Sequence, residues 1–150
     1  EHVLIEHDPD VVVMTETWLH DDVRDSEICP PGYNVLRNDR GSRGGGVAIF
    51  IKKPINYTFI CKMTDIETLW CKIFLGTKEL FVGAVYRAPG SGSNGINKLN
   101  DFLYDLRAQH KHVVFAGDFN LPDVKWDEME PGSRENEAGI AAVDMCFSHG

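Results

Sequence analysis

Short apolar runs separated by turn residues fill the first 86 positions, and a helical period follows them. Val11-Val12-Val13-Met14-Thr15 is β-branched and apolar, reads as a buried strand, and delivers Glu16 where that strand should break. Tyr33-Asn34-Val35-Leu36-Arg37 alternates into a strand. The glycines at 41 and 44–46 turn it into Val47-Ala48-Ile49-Phe50-Ile51, which predicts a hairpin. Positions 56–61, 69–75 and 80–86 continue as strands, the last two joined by Gly76-Thr77-Lys78. A short helix precedes them all, ending near His7 where Asp8-Pro9 breaks it. Asp21, Asp22, Arg24, Asp25 and Glu27 read as a polar loop closed by Pro30-Pro31-Gly32.

After the Gly/Ser loop at 91–94, Ile96, Leu99, Phe102, Leu103 and Leu106 recur at helical spacing up to Gln109. This amphipathic helix feeds a strand at 112–117, in which Val113-Val114-Phe115-Ala116 reads as a second buried run. Residues 120–133 read as loop, and a helix with an Ala-rich face runs over 137–148. Strands dominate the first half and helix-strand-helix the rest, so the pattern is mixed α/β with neighbouring antiparallel strands. No internal repeat or low-complexity tract interrupts it.

With 150 residues and 43% hydrophobic positions, the chain suits one compact domain or most of one. Cys29, Cys61, Cys71 and Cys146 follow intervals of 32, 10 and 75, which match neither a zinc pattern nor a small disulfide framework. Reduced thiols in an intracellular protein are therefore expected. No signal-peptide core opens the chain, and no apolar run approaches the roughly 20 residues that a membrane span needs, so no membrane partner is expected.

The net charge of -8 argues against a nucleic-acid partner, because phosphate binding draws on Lys and Arg. Its distribution softens that objection. Residues 1–27 hold nine acids and one arginine, so the remainder is neutral. Arg37, Arg40, Arg43, Lys52 and Lys53 cluster on the predicted hairpin against Asp39 alone, whereas 118–137 carry seven acids against Lys125 and Arg134. That polarity suits backbone phosphate at the hairpin and metal at the acidic loops; a solvated surface explains it almost as well.

Gly117-Asp118-Phe119-Asn120 places an acid and an amide where the 113–116 run stops. Such a tetrapeptide is either a turn, since Asp and Asn bond their own backbone, or an edge that binds metal or phosphate. Glu16 at the end of another strand suggests a shared site. Gly44-Gly45-Gly46 precedes a strand, whereas phosphate-binding fingerprints open a helix, so these glycines read as a turn. His110 and His112 would not share a helical face, and no Cys or acid pattern completes a zinc site with them.

Taken together, Thr15-Glu16-Thr17-Trp18-Leu19, Arg43-Gly44-Gly45-Gly46-Val47-Ala48, Tyr86-Arg87-Ala88-Pro89 and Gly117-Asp118-Phe119-Asn120 resemble, in order and spacing, the endonuclease domain of LINE-type (non-LTR) retrotransposons. That domain belongs to the endonuclease/exonuclease/phosphatase superfamily. The resemblance implies an α/β fold, a four-layer sandwich of the DNase-like type in which two sheets face each other with helices outside. It implies metal-dependent phosphodiester hydrolysis: nicking of target DNA in the nucleus to prime reverse transcription, with a reverse transcriptase fused in the parent protein.

By the same resemblance Glu16 is the metal ligand, for magnesium or alternatively manganese, and Asp118 orients or deprotonates the attacking water. Asn120 bonds the scissile phosphate, and Tyr86 donates to a phosphate oxygen unless it is a core aromatic with a wet tip. Arg87 either touches phosphate or is simply an exposed arginine, and Arg43 is a phosphate or DNA contact on the hairpin. Family members also carry a metal-site Asn on a first strand and a closing Ser-Asp-His block, neither of which this sequence shows. Residues 1–150 are accordingly expected to be an incomplete domain with little activity alone, and His149, lacking the Asp, is assigned no catalytic role. The rival readings are a superfamily phosphatase or abasic-site nuclease, and a non-catalytic remnant that binds nucleic acid or a partner.

Overall fold

The computed structural model describes residues 2–149; Glu1, where the predicted first helix begins, and Gly150 lie outside the described residues. Chain order is α1 (His2–His7), β1 (Val11–Thr15), α2 (Asp25–Ile28), β2 (Tyr33–Asn38), β3 (Val47–Lys52), β4 (Tyr57–Met63), β5 (Glu67–Leu75), β6 (Lys78–Tyr86), α3 (Asn94–Gln109), β7 (Val113–Asp118) and α4 (Glu137–His149). They fall into two compact units. The first runs to Tyr86 and resumes over His112–Asp118; the second takes Arg87–Lys111 and everything from Phe119 onward.

The first unit holds both sheets. One has the order β1-β3-β2 and is antiparallel throughout; the other, β4-β5-β6-β7, is antiparallel except for the parallel β6–β7 pair. They face each other, with β1 against β6 and β7, β2 against β5, and β3 against β5 and β6. These are the two facing sheets that the resemblance implies. The hairpin read from the glycine-rich turn is present, with Tyr33 opposite Lys52 and Asn38 opposite Val47.

β3 is the centre of its sheet, and its sequence shows why. A strand covered on both faces reads as a continuous apolar run, and Val47 through Ile51 are all buried. Ala48 and Phe50 join Leu4 and Tyr33 in one cluster, with Val12, Cys29 and Val35 packed against it. Val47, Ile49 and Ile51 alternate to the opposite face and are fully buried. Each such side chain contributes about 1.5–3 kcal/mol of transfer free energy. Asn38, at the end of β2, is buried and donates its amide to the carbonyls of Met63 and Thr68, both at 3.0 Å, tying one sheet to the other.

Three sequence expectations need correction. Among the described residues β1 and β7 are not the buried strands expected: each has one hydrogen-bonded neighbour there, and Met14 and Val114 are 42% and 48% exposed. The polar stretch after Glu16 contains one helical turn, α2, whose entry is held by the Arg24 amide donating to Glu27 at 2.8 Å. Four residues carry no readable period. β5 starts at Glu67 and not at 69, which brings a carboxylate into the sheet.

In the second unit α3 and α4 pack on each other. α3 buries Ile96, Leu99, Leu103 and Leu106 of the predicted stripe, whereas Phe102 is only half-buried, and α4 buries the small residues Ala138, Gly139 and Ala142 with Val143 and Met145. His149 ends α4 with its Nε2 2.8 Å from Asn100 Oδ1 on α3, a helix-to-helix contact. No helix among the described residues is long and apolar enough to cross a membrane.

Candidate active site

Glu16 leaves β1 in a left-handed conformation, φ +53°, and Trp18 follows at φ +54°. Each such backbone costs about 1–3 kcal/mol for a non-glycine residue and persists only where surrounding bonds hold it. Those bonds come from the turn between β2 and β3. The Trp18 amide donates to the Gly45 carbonyl at 2.9 Å and the Thr17 amide to that of Gly46 at 3.3 Å. In return the Gly45 amide donates to Glu16 Oε2 at 2.9 Å, and the Trp18 indole N–H reaches the same oxygen at 2.6 Å.

The other carboxylate oxygen, Oε1, accepts a close hydrogen bond from the Tyr86 hydroxyl at the end of β6. Foremost this phenol, and then the Gly45 amide, hold the Glu16 carboxyl below its ordinary range, with burial opposing and Trp18 and Arg40 assisting. The same bond pushes the Tyr86 phenol up. At neutral pH the pair is therefore an ionised carboxylate and an intact phenolic donor. Tyr86 is buried with its hydroxyl committed to Glu16, so the expectation of a wet tip is corrected.

Gly44, Gly45 and Gly46 all have positive φ, and the amides of Gly45 and Gly46 are turned onto carboxylates. While Gly45 serves Glu16, the Gly46 amide donates to Glu67 Oε2 at 2.6 Å. A Cβ on Gly45 would lie 2.6 Å from the Arg40 guanidinium, so that position needs glycine for space as well as for conformation. The loop is a turn, as its place before a strand predicts, and its donors hold two carboxylates. Arg40 completes the group: its Nε donates to Glu67 Oε1 at 2.6 Å, and its guanidinium lies 5.4 Å from the centre of the Tyr86 ring.

Asp118 ends β7 directly opposite Tyr86 in the parallel register, so the two residues close neighbouring strands at the same end. Gly117 before it lies opposite Val85, and any Cβ there would run into the Val85 carbonyl. The glycine lets β7 stay paired up to the acid.

Arg87 and Asn120 belong to the second unit. Arg87 is not the exposed arginine expected from sequence: it is 5% exposed. Its guanidinium donates to the carbonyls of Phe119 at 3.2 Å and Asn120 at 3.1 Å and closely to that of Ser91, while the Asn120 amide donates back to the Arg87 carbonyl at 2.8 Å. Burial pulls the guanidinium pKa down. Its visible work is to fix the loop that follows Asp118.

The basic hairpin is also corrected in part. Arg37 is bound to Asp39 and, at 3.1 Å, to Asp25, while Lys52 is bound to Asp8 at 2.5 Å and Arg40 to Glu67. Three of the five cations are thus committed to carboxylates. Arg43 differs, with its guanidinium 5.7 Å from the Trp18 ring centre.

Among the described residues no three His, Cys, Asp or Glu side chains group to hold a metal. One exposed, ionised carboxylate is nonetheless what a magnesium ion requires of a protein when waters complete its shell, and Glu16 fits that requirement.

A model of the Endonuclease/Exonuclease/phosphatase family matches residues 1–144. The chain belongs to this family. Solved structures agree on the fold. The AP endonuclease LMAP from Leishmania major aligns with TM-score 0.73 at 14% identity, over 99% of this chain and 60% of that one. The endonuclease domain of TRAS1, a telomere-specific non-LTR retrotransposon, aligns at 0.67 and 17%, over 98% and 61%. The human Nocturnin catalytic domain with bound sulfate anion aligns at 0.65 and 12%, over 90% and 60%. The chain thus spans about three fifths of these relatives' length, and at such identities the likeness shows the fold alone. No curated protein matches the chain. The family is in general one of hydrolytic nucleases and phosphatases.

Arg40, Glu67 and Trp18 escaped sequence reasoning as parts of this site. Glu67 lies 27 positions from its partner, and no local pattern announces such a pair. Trp18 had a signal, an aromatic two residues beyond a strand-end acid, which only its hydrogen bond to Glu16 makes meaningful.

Proposed function

We propose that this chain carries the phosphodiesterase centre of a magnesium-dependent DNA endonuclease of the retrotransposon type, which nicks target DNA to expose a 3′ hydroxyl for reverse transcription. The observation that supports it most is Glu16: an exposed carboxylate kept ionised at a strand end by Tyr86 and Gly45, beside the strand that Asp118 closes in register. Glu16 would hold the ion, whose bound form supplies Lewis-acid neutralisation of a phosphate oxygen. By the family resemblance Asp118 would orient or deprotonate the attacking water, and Asn120 would donate to the scissile phosphate without adding charge. Tyr86 holds Glu16 and, when released, has a phenolic proton to give to phosphate. In the parent protein this activity would work in the nucleus beside a fused reverse transcriptase.

The test is nicking of supercoiled plasmid in magnesium or EDTA by the protein that carries residues 1–150, with Glu16→Gln and Asp118→Asn beside it. Loss of magnesium-dependent nicking in both variants is expected, and removal of a general base costs about 10²–10⁴-fold in rate. Nicking that survives EDTA or Asp118→Asn overturns the reading. A panel with an abasic-site duplex and a small phosphoester decides the substrate within the family.

A further inference from the structure

Trp18 is 54% exposed, yet few exposed side chains are held so firmly. Its amide is bonded to the Gly45 carbonyl, its indole N–H to Glu16, its backbone stands at φ +54°, and the Arg43 guanidinium lies against its ring. A bulky residue with positive φ is a conformational outlier, and neither burial nor core packing accounts for this one. The bonds fix the direction of the indole while leaving it in water, which describes a surface prepared for a ligand with a flat apolar face.

The surroundings select the ligand. Glu16 is the candidate metal ligand, so whatever rests on Trp18 neighbours the reacting phosphate. Arg43, unlike Arg37, Arg40 and Lys52, lies on the indole and not in one of their ion pairs, and it supplies a cation for a flanking phosphate. An aromatic face beside an arginine is the combination that stacks bases of single-stranded nucleic acid. Bases inside a duplex already have both faces covered, so a base that stacks here must be unpaired.

We infer that Trp18 and Arg43 form a stacking subsite for an unpaired nucleobase of the DNA substrate next to the scissile phosphate. This rests on the nuclease reading above. It makes the preferred substrate a bubble, flap or other locally opened duplex.

The test uses the 150-residue chain with Trp126→Phe, so that Trp18 is the exposed fluorescent indole while Trp70 is fully buried. Binding is read in EDTA, by Trp18 emission and by anisotropy of a labelled oligonucleotide, comparing a duplex with a three-base bubble against the same duplex fully paired. The bubble is expected to quench Trp18 and bind more tightly. Trp18→Ala should weaken bubble binding about tenfold, within the range known for one stacked base, and leave the paired duplex within twofold. Trp18→Phe, which keeps a ring and loses the N–H to Glu16, should retain most of the affinity; circular dichroism verifies the fold of both.

Equal losses in Trp18→Ala and Trp18→Phe overturn the inference, since they would trace the effect to the Glu16 bond. So do equal quenching by paired and bubble DNA and failure to bind either oligonucleotide. Plasmid nicking by the unsubstituted protein that carries residues 1–150 separates the two readings: if it nicks while Trp18→Ala leaves bubble binding intact, the stacking subsite fails and the nuclease stands.

Discussion

Arg87 and Asn120 hold each other's backbone: the Arg87 guanidinium donates to the Asn120 carbonyl at 3.1 Å, and the Asn120 amide donates to the Arg87 carbonyl at 2.8 Å. Two residues that the resemblance assigns to phosphate are thus also the clasp of the loop that follows Asp118. Replacing Arg87 by alanine strips the Phe119, Asn120 and Ser91 carbonyls of this donor. Each unsatisfied buried group costs about 1–3 kcal/mol, so Arg87→Ala is expected to destabilise the protein by roughly 3 kcal/mol, read from the urea midpoint. Arg87→Lys should recover only part of this, because an ammonium cannot reproduce the planar fork. An unchanged midpoint in Arg87→Ala would remove the clasp.

The carboxyl of Glu16 is expected to titrate below its ordinary value of 4.5, with Tyr86 the main cause. A depressed folded-state value means that the contribution to stability is complete above the unfolded value and disappears as pH falls through the folded one, here below about pH 4.5. Because Glu16 is exposed, the effect on stability is small, and the direct observable is the side-chain carbon shift in an NMR titration. Tyr86→Phe should move that titration back toward 4.5. If it does not move, the Tyr86 bond is not what holds the carboxylate ionised.

Glu67 keeps Arg40 in place, and the pair is mostly out of water, with side chains 11% and 28% exposed. Glu67→Gln still accepts from the Gly46 amide but leaves the guanidinium without its counter-charge. A loss of about 1–3 kcal/mol is expected, below the figure for a fully buried pair because Arg40 retains some solvent. Asp25→Asn, which touches Arg37 from an exposed position, should cost well under 1 kcal/mol. Equal losses in the two variants would contradict this ranking.

At Gly117 even one methyl group has no room, because it would meet the Val85 carbonyl of the neighbouring strand. Gly117→Ala should therefore separate β7 from β6 near Asp118, costing about 2–4 kcal/mol and abolishing plasmid nicking. Gly90→Ala is the control. Its φ of +71° imposes strain but its surroundings are open, so about 1–2 kcal/mol is expected with nicking retained. Hydrogen exchange at the β6–β7 amides distinguishes a local opening from global loss.

Much of this protein is local and was therefore legible in the chain. The continuous apolar run of β3, the leucine stripe of α3, the glycine turn between β2 and β3 and the acid that closes β7 each follow from residues close in sequence, because strand alternation and helical period are set by the backbone's own geometry. The four ordered blocks carried the family and its fold for the same reason: each is short and complete in itself. What the tertiary structure alone decided is whatever depends on which strands become neighbours. That β1 faces β6 and β7, that Arg87 is buried under carbonyls, that Arg40 meets Glu67, and that Glu16 and Tyr86 share a hydrogen bond across 70 positions all depend on strand order and register. Side-chain chemistry marks such residues as polar, but it takes the packing of one sheet against another to choose their partners.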